Sequence, residues 1–241
     1  MFYTGGIEPT DHIEQRIGAI AALDQPLRRE LYRLLGARGG WVSRDDASDA
    51  LGVARSVAAF HLDKLVESGV VEVAFERTSG RTGPGAGRPA KLYRRATEEL
   101  SASVPARRYD LAGSLFATAI AESERTGSPI AESLSATARA AGRVIGEEVA
   151  AATGPLTKRD ERRQAVLEIL GRHGYEPTVG KRGEIALVNC PFHRLAEEHR
   201  TLVCGMNLDF LGGLVEGIGT GKLDVRLAPE PGYCCVRISA S

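Results

Sequence analysis

The arrangement that most constrains this chain is a pair of short helical segments hinged on one glycine, followed by an alternating run and a loop rich in glycine, proline and arginine. Ser43 is placed to cap the first segment, Arg44 to Leu51, whose early Asp45 and Asp46 suit the positive end of the helix dipole. Gly52 makes the turn. The second segment, about Ala54 to Ser68, carries Val57, Leu62, Leu65 and Val66 toward a core and closes at Gly69. Two short helices joined in this way read as a helix-turn-helix, whose second helix would lie in the major groove of double-stranded DNA with its first residues nearest the base edges.

Arg55, Ser56, Ala59 and Phe60 are the candidates for base contact, with Arg55 foremost because a guanidinium pairs with guanine through two hydrogen bonds. His61 and Lys64 are placed for phosphates or for packing, and His61, followed by Leu62, also suits a structural role against the neighbouring helix. Val71, Val73 and Phe75 then alternate with Glu72, Ala74 and Glu76, and Lys91 to Arg95 return beside them as the second strand of a hairpin. The loop between, Thr78 to Ala90, contains Arg81 and Arg88 and is flanked by Arg77, Lys91, Arg94 and Arg95. Such a tip is either a solvated loop or a wing that gains affinity from phosphate without reading sequence.

Two further helices are expected ahead of this motif. Thr10 or Asp11 would cap a stripe of Ile13, Ile17, Ile20 and Leu23, and Pro26 would open a second stripe of Leu27, Leu31, Leu34 and Leu35 that ends near Gly36, before Gly39 and Gly40. The whole chain has equal numbers of basic and acidic residues, 31 each, yet Pro26 to Ala96 holds 13 Lys or Arg against 8 Asp or Glu. A basic amino-terminal third balanced by an acidic remainder fits a DNA-contacting module joined to a different one, although so small an excess is also within ordinary scatter. A hydrophobic fraction of 43% and a charged fraction of 26% are those of a globular protein. No apolar run approaches the roughly 20 residues that cross a bilayer, and Met1 to Pro9 lacks a secretion signal, so the expectation is a cytoplasmic, non-membrane protein.

Three segments together resemble one family: LDQPLRRELYRLL at Leu23 to Leu35, SVAAFHLDKLVESGVVE at Ser56 to Glu72, and GRPAKLYRR at Gly87 to Arg95. They resemble the ArsR/DeoR-like winged-helix regulators, especially the bacterial branch that includes the Suf-operon repressors. The resemblance implies a transcription factor, usually dimeric, and not an enzyme.

Beyond a linker at Thr97 to Ala106, Tyr109, Leu111, Leu115, Phe116, Ala119 and Ile120 mark one helix, and Ser128 with Pro129 opens another containing Ile130, Leu134, Ala138, Ala141, Val144 and Ile145. These alanine-rich helices would either build a homodimer interface or cover the sheet of the last domain. A third helix is expected over Lys158 to Gly171. Strands at Tyr175 to Val179, Glu184 to Asn189, Leu223 to Leu227 and Tyr233 to Ile238, with helices near Pro191 to His199 and Thr201 to Ile218, complete a small α+β domain. The fold class is thus mainly α with α+β, in three regions: a winged helix-turn-helix over 10–96, a helical linker or dimerisation region over 97–156, and a sensor domain over 157–241.

All four cysteines, Cys190, Cys204, Cys234 and Cys235, fall in that last domain, where clustering points to metal binding, redox sensing or plain burial. Cys190, in the sequence CPFH, sits where a strand meets a helix, whose first amides would stabilise a thiolate. If the last pair lies on a strand, its members face opposite sides, so Cys234, in step with Val236 and Ile238, is the inward one. Spacings of 14 and then 30 residues are similar to the widely spaced three-cysteine arrangement of the Suf-operon repressors. That resemblance implies that Cys190, Cys204 and Cys234 hold an iron-sulfur cluster, with Cys235, His193 or His199 as fourth-ligand candidates. Thiolate softness suits zinc equally well, and cysteines packed as small core residues need no metal at all. Two other readings are a regulator with a small-molecule pocket, and an enzyme using Cys190 as nucleophile with His193 or His199 as base.

Overall fold

The computed structural model describes residues 11–76, 89–97, 99, 101–154, 158–181, 183–219 and 223–240. The chain divides into two compact units, 1–102 and 103–241. The expected helical region over 97–156 therefore does not stand apart: nearly all of it belongs to the second unit.

In the first unit, α1 (Asp11–Ala22) and α2 (Pro26–Arg38) precede β1 (Val42–Ser43), α3 (Arg44–Leu51), α4 (Arg55–Glu67), β2 (Val71–Glu76) and β3 (Ala90–Arg95). The strands form an antiparallel sheet in the order β1-β3-β2, with Tyr93 opposite Val42 on one side and Val73 on the other. The two-residue β1 was not foreseen, because so short a strand has no alternation to detect. Leu31, Leu35, Val42, Ala47, Leu62, Leu65, Val71 and Tyr93 form the core, each large apolar side chain contributing roughly 1.5–3 kcal/mol by burial.

Two expected faces are rotated. On α1, Ile17 and Ile20 are exposed while Ala19 and Ala22 are buried, because small alanines let α1 lie close against α4, with which it packs. On α4, Val57 is exposed and Ala58 takes its place beside Leu62 and Leu65. The α2 helix continues past Gly36 to Arg38 and ends on Gly39 at φ 64°. Gly36 instead makes room for an arginine. Arg95 lies over the Tyr32 ring at 4.1 Å and donates through Nε to the Tyr32 carbonyl at 2.7 Å, and a Cβ at Gly36 would overlap that guanidinium.

The second unit contains α5 (Tyr109–Thr126), α6 (Ile130–Thr153), α7 (Arg159–Arg172), β4 (Pro177–Val179), β5 (Ile185–Leu187), α8 (His193–Glu198), α9 (Arg200–Gly217), β6 (Leu223–Leu227) and β7 (Val236–Ala240). Its sheet is antiparallel in the order β4-β5-β7-β6. The close packing here is that of α6 on α9. Cβ atoms at Gly142 and Gly146 would run into the Phe210 and Leu214 carbonyls, and those at Gly213 and Gly217 into the Arg139 and Arg143 carbonyls. Four glycines thus mesh the two backbones, so α6 covers the domain core as one of the two expected roles had it.

The last strand begins later than expected. Pro231 and Gly232, the latter at φ 82°, turn the chain, and Cys234 and Cys235 fall in irregular backbone before β7. That backbone is still held at two points: Cys234 N–H donates to the Leu187 carbonyl and Ala228 N–H to the Cys235 carbonyl, each at 2.8 Å. No helix among the described residues is long and apolar enough to cross a membrane.

Candidate nucleic-acid interface and thiol cluster

The helix-turn-helix is built from local chemistry outward. Ser43 and Asp46 form a reciprocal capping box at the start of α3, Asp46 N–H donating to Ser43 Oγ and Ser43 N–H to Asp46 Oδ2, both at 3.1 Å. Gly52, at φ 63°, adopts the left-handed conformation that ends α3 and redirects the chain into α4. The first turns of α4 then present Arg55, Ser56, Val57 and Phe60 to solvent, with Phe60 57% and Val57 39% exposed and Ala59 half-buried. Arg55 is paired with Asp45 of α3 in the open, where such a pair is worth only about 0–1 kcal/mol, so a competing phosphate or base can take the guanidinium.

Deeper in α4, Asp63 fixes the strands to the helix. Its carboxylate accepts from Arg44 at 2.8 Å, Lys91 Nζ at 2.6 Å and Tyr93 Oη at 2.6 Å. Partial burial acts to raise the Asp63 pKa, but the hydrogen bonds from Lys91 and Tyr93 and the charges of Arg44 and Lys91 outweigh it and hold the carboxyl below its ordinary range. The structure thus gives Lys91, expected to face phosphate, an internal partner. Lys64 pairs with Glu67 at 2.6 Å. His61 packs edge-on to Phe60, its Nδ1 buried without a hydrogen bond. Burial, then the nearby Arg28 charge, lower its pKa and keep it neutral, which matches the structural reading of this histidine better than a phosphate contact. Arg77, Arg81 and Arg88 lie outside the described residues. Asp63 was missed in the sequence because an acid one turn from a basic helix face looks like an ordinary solvated charge.

In the second unit the fold brings all four cysteines into one run of contacts. Cys190 follows β5, Cys204 sits on the first turns of α9, and Cys234 and Cys235 precede β7. Side-chain hydrogen bonds link Cys190 to Cys234, Cys234 to Cys235, and Cys235 to Cys204. The expectation that only one of the tandem pair turns inward fails, because the alternation of a strand does not apply to the irregular backbone that carries them. Cys204 and Cys234 are buried, Cys190 and Cys235 half-buried, and all four are free thiols. His193, exposed and paired with Glu197 at 3.3 Å, and His199, also exposed, are on the outer side of this region. Among the described residues, no three His, Cys, Asp or Glu side chains are already disposed around one point as a metal-ion centre; the sulfurs form a string.

The thiols are held protonated. For Cys190 the hydrogen bond with Cys234 and then burial push the pKa far above its ordinary value, against the Phe192 amide and the Arg107 charge, which pull it down. The helix-start amide effect expected from CPFH is therefore present but outweighed, and the group is a poor nucleophile. The bond with Cys190 pulls the Cys234 thiol down, while Cys235 and burial push harder and leave it at about 11. Burial likewise raises Cys204.

Beside the thiols, Asn207 Nδ2 donates to Cys234 Sγ at 3.3 Å, and Tyr175 Oη donates to Asn207 Oδ1 at 2.5 Å. The segment that opens this unit is stitched to the same place: Arg107 Nη1 donates to Asn189 Oδ1 at 2.6 Å, Asn189 Nδ2 to the carbonyls of Ala106 at 2.9 Å and Gly174 at 2.5 Å, and Arg108 N–H to the Pro191 carbonyl at 3.1 Å. Neither Asn207 nor Arg107 was singled out from the sequence. A lone amide within the apolar run of α9 was the available signal for Asn207; Arg107 offered none.

Comparison with known proteins finds a family model described as a helix-turn-helix domain, matching residues 23–74, which run from just before α2 into β2. No curated protein and no solved structure matches the chain. The matched domain is that of a DNA-binding transcriptional regulator, and α3, Gly52 and α4 are its two helices and turn.

Proposed function

We propose that this regulator acts as a homodimeric repressor whose affinity for a partly palindromic operator is set by an iron-sulfur cluster held by Cys190, Cys204, Cys234 and Cys235. The observation that carries this reading is the continuous contact of four thiols gathered from separate places in the second unit. The donor set fits the group: four soft sulfurs, one already receiving an amide hydrogen bond of the kind that supports thiolate ligands. When bound, such a cluster supplies a one-electron couple and a sensitivity to oxygen and to iron supply.

The rest is the work of the chain's own residues. Arg55, Ser56, Val57 and Phe60 face the major groove, and two copies of α4 would read half-sites about 10 base pairs apart or a multiple of that. Outward apolar side chains at Ile120, Ile130 and Val144 offer a surface for the second copy. Because thiols must lose protons to become ligands, loading draws Cys190 and Cys234 together as anions that only a metal centre can neutralise. That tightening acts on the Asn189–Pro191 backbone and so on the residues Ala106 to Arg108 bonded to it, where the second unit begins.

Anaerobic purification and reconstitution, with iron, sulfide and zinc determined and DNA retention measured against salt, tests both halves. The expected result is a coloured protein containing iron and sulfide whose DNA affinity changes when the cluster is removed. A colourless product free of iron removes the cluster, zinc alone replaces it with a structural metal site, and no salt-sensitive retention of any duplex removes the operator.

A further inference from the structure

Tyr175, Asn207 and Cys234 make a hydrogen-bonded chain sealed from solvent, each residue being 1% exposed. An amide in such surroundings is costly unless both of its ends are used. Here they are, and in a fixed sense. A neutral phenol donates, and Tyr175 Oη at 2.5 Å takes the Asn207 carbonyl oxygen as its acceptor. The amide NH2 is thereby left to face the sulfur, 3.3 Å away. The three groups come from distant parts of the chain: Tyr175 between α7 and β4, Asn207 one turn along α9 from Cys204, and Cys234 ahead of β7. The α9 helix that carries Asn207 is meshed backbone to backbone with α6 through Gly213 and Gly217, so the amide is borne on a rigid element.

We propose that Asn207 is a positioning residue that donates its N–H to the Cys234 sulfur and thereby raises the reduction potential of the centre bound there, with Tyr175 locking the amide in the donating orientation. The inference rests on the cluster reading above. A hydrogen bond to a ligand sulfur draws electron density from it and favours the more negative, reduced state; losing the bond lowers the potential.

The test uses the full chain, reconstituted without oxygen, as wild type, Asn207→Leu, Tyr175→Phe and the double variant Tyr175→Phe/Asn207→Leu. Iron and sulfide content and the midpoint potential are measured for each. The double variant removes both buried polar groups together, so it carries the comparison if Asn207→Leu alone does not fold. The expected result is equal loading, a midpoint lower in Asn207→Leu and in the double variant, and a smaller fall in the same direction for Tyr175→Phe, whose amide is free to turn. Equal loading with unchanged midpoints in Asn207→Leu and the double variant overturns the role of Asn207 and leaves the cluster standing. A wild-type chain that takes up neither iron nor sulfide overturns both.

Discussion

Arg107 and Asn189, 82 residues apart, meet at 2.6 Å through Nη1 and Oδ1, and the same amide donates to the Ala106 and Gly174 carbonyls. Asn189 is buried and uses its oxygen and its NH2 group. Asn189→Ala would leave two carbonyls and a guanidinium without their partner. Each such buried group costs about 1–3 kcal/mol, so the variant is expected to lose several kcal/mol of stability in chemical denaturation. Asn189→Asp, which still accepts from Arg107 but donates nothing, is expected to fall between. A variant as stable as wild type would mean that water replaces the amide.

Arg55→Ala is expected to lower affinity for a preferred duplex selected from a randomised pool, with a loss of about 1–3 kcal/mol in discrimination at one base position. Lys64→Ala, at a phosphate-facing or packing position, is expected to weaken binding evenly across sequences. Val57 and Phe60, apolar and exposed beside Arg55, are suited to thymine methyl groups. Replacing thymine by deoxyuridine in the selected duplex should weaken wild-type binding but leave Phe60→Ala binding unchanged at the position it reads.

Gly142→Ala puts a methyl group into the Phe210 carbonyl, whereas a Cβ at Gly113 on α5 meets nothing within 4 Å. The first is expected to destabilise by roughly 1–3 kcal/mol or more through forced separation of α6 and α9. The second should stabilise by about 0.4–1 kcal/mol, since alanine loses less backbone freedom on folding. Thermal denaturation of both variants checks the pair. Similar effects at the two positions would mean that α6 and α9 are not meshed.

His173 is buried beside Phe210, and burial, then the Arg108 charge, lower its pKa to about 4. The ordinary value near 6.5 holds in the unfolded chain. With the folded value below the unfolded one, stability is complete above about pH 6.5 and is lost as pH falls toward 4, by on the order of 3 kcal/mol at about 1.4 kcal/mol per unit. His173→Gln should flatten the fall in urea midpoint between pH 7 and pH 4.5. An unchanged slope would place the sensitivity elsewhere.

The helix-turn-helix was legible because its signals are local: Ser43 before Asp46, Gly52 at the turn, Leu62 and Leu65 four and seven residues beyond Ala58, and alternation from Val71. Caps, left-handed turns and periodicity depend on residues only a few positions apart, so a linear reading captures them. The outward face of α1 was not legible, since Ala19 and Ala22 form as regular a stripe as Ile17 and Ile20 and only the closeness of α4 selects between them.

The amino-acid order alone settled that four thiols share the last 52 residues, where most helices and strands begin and end to within a few positions, and that α4 carries arginine at its start. It could not settle which sulfurs touch. The contacts of Cys235, the Asn207 amide beneath Cys234, the Lys91 grip on Asp63 and the meshing of α6 with α9 all join residues far apart in the chain. Whether such groups meet depends on how whole elements pack, and packing is decided by the summed burial of many side chains rather than by any short stretch of sequence.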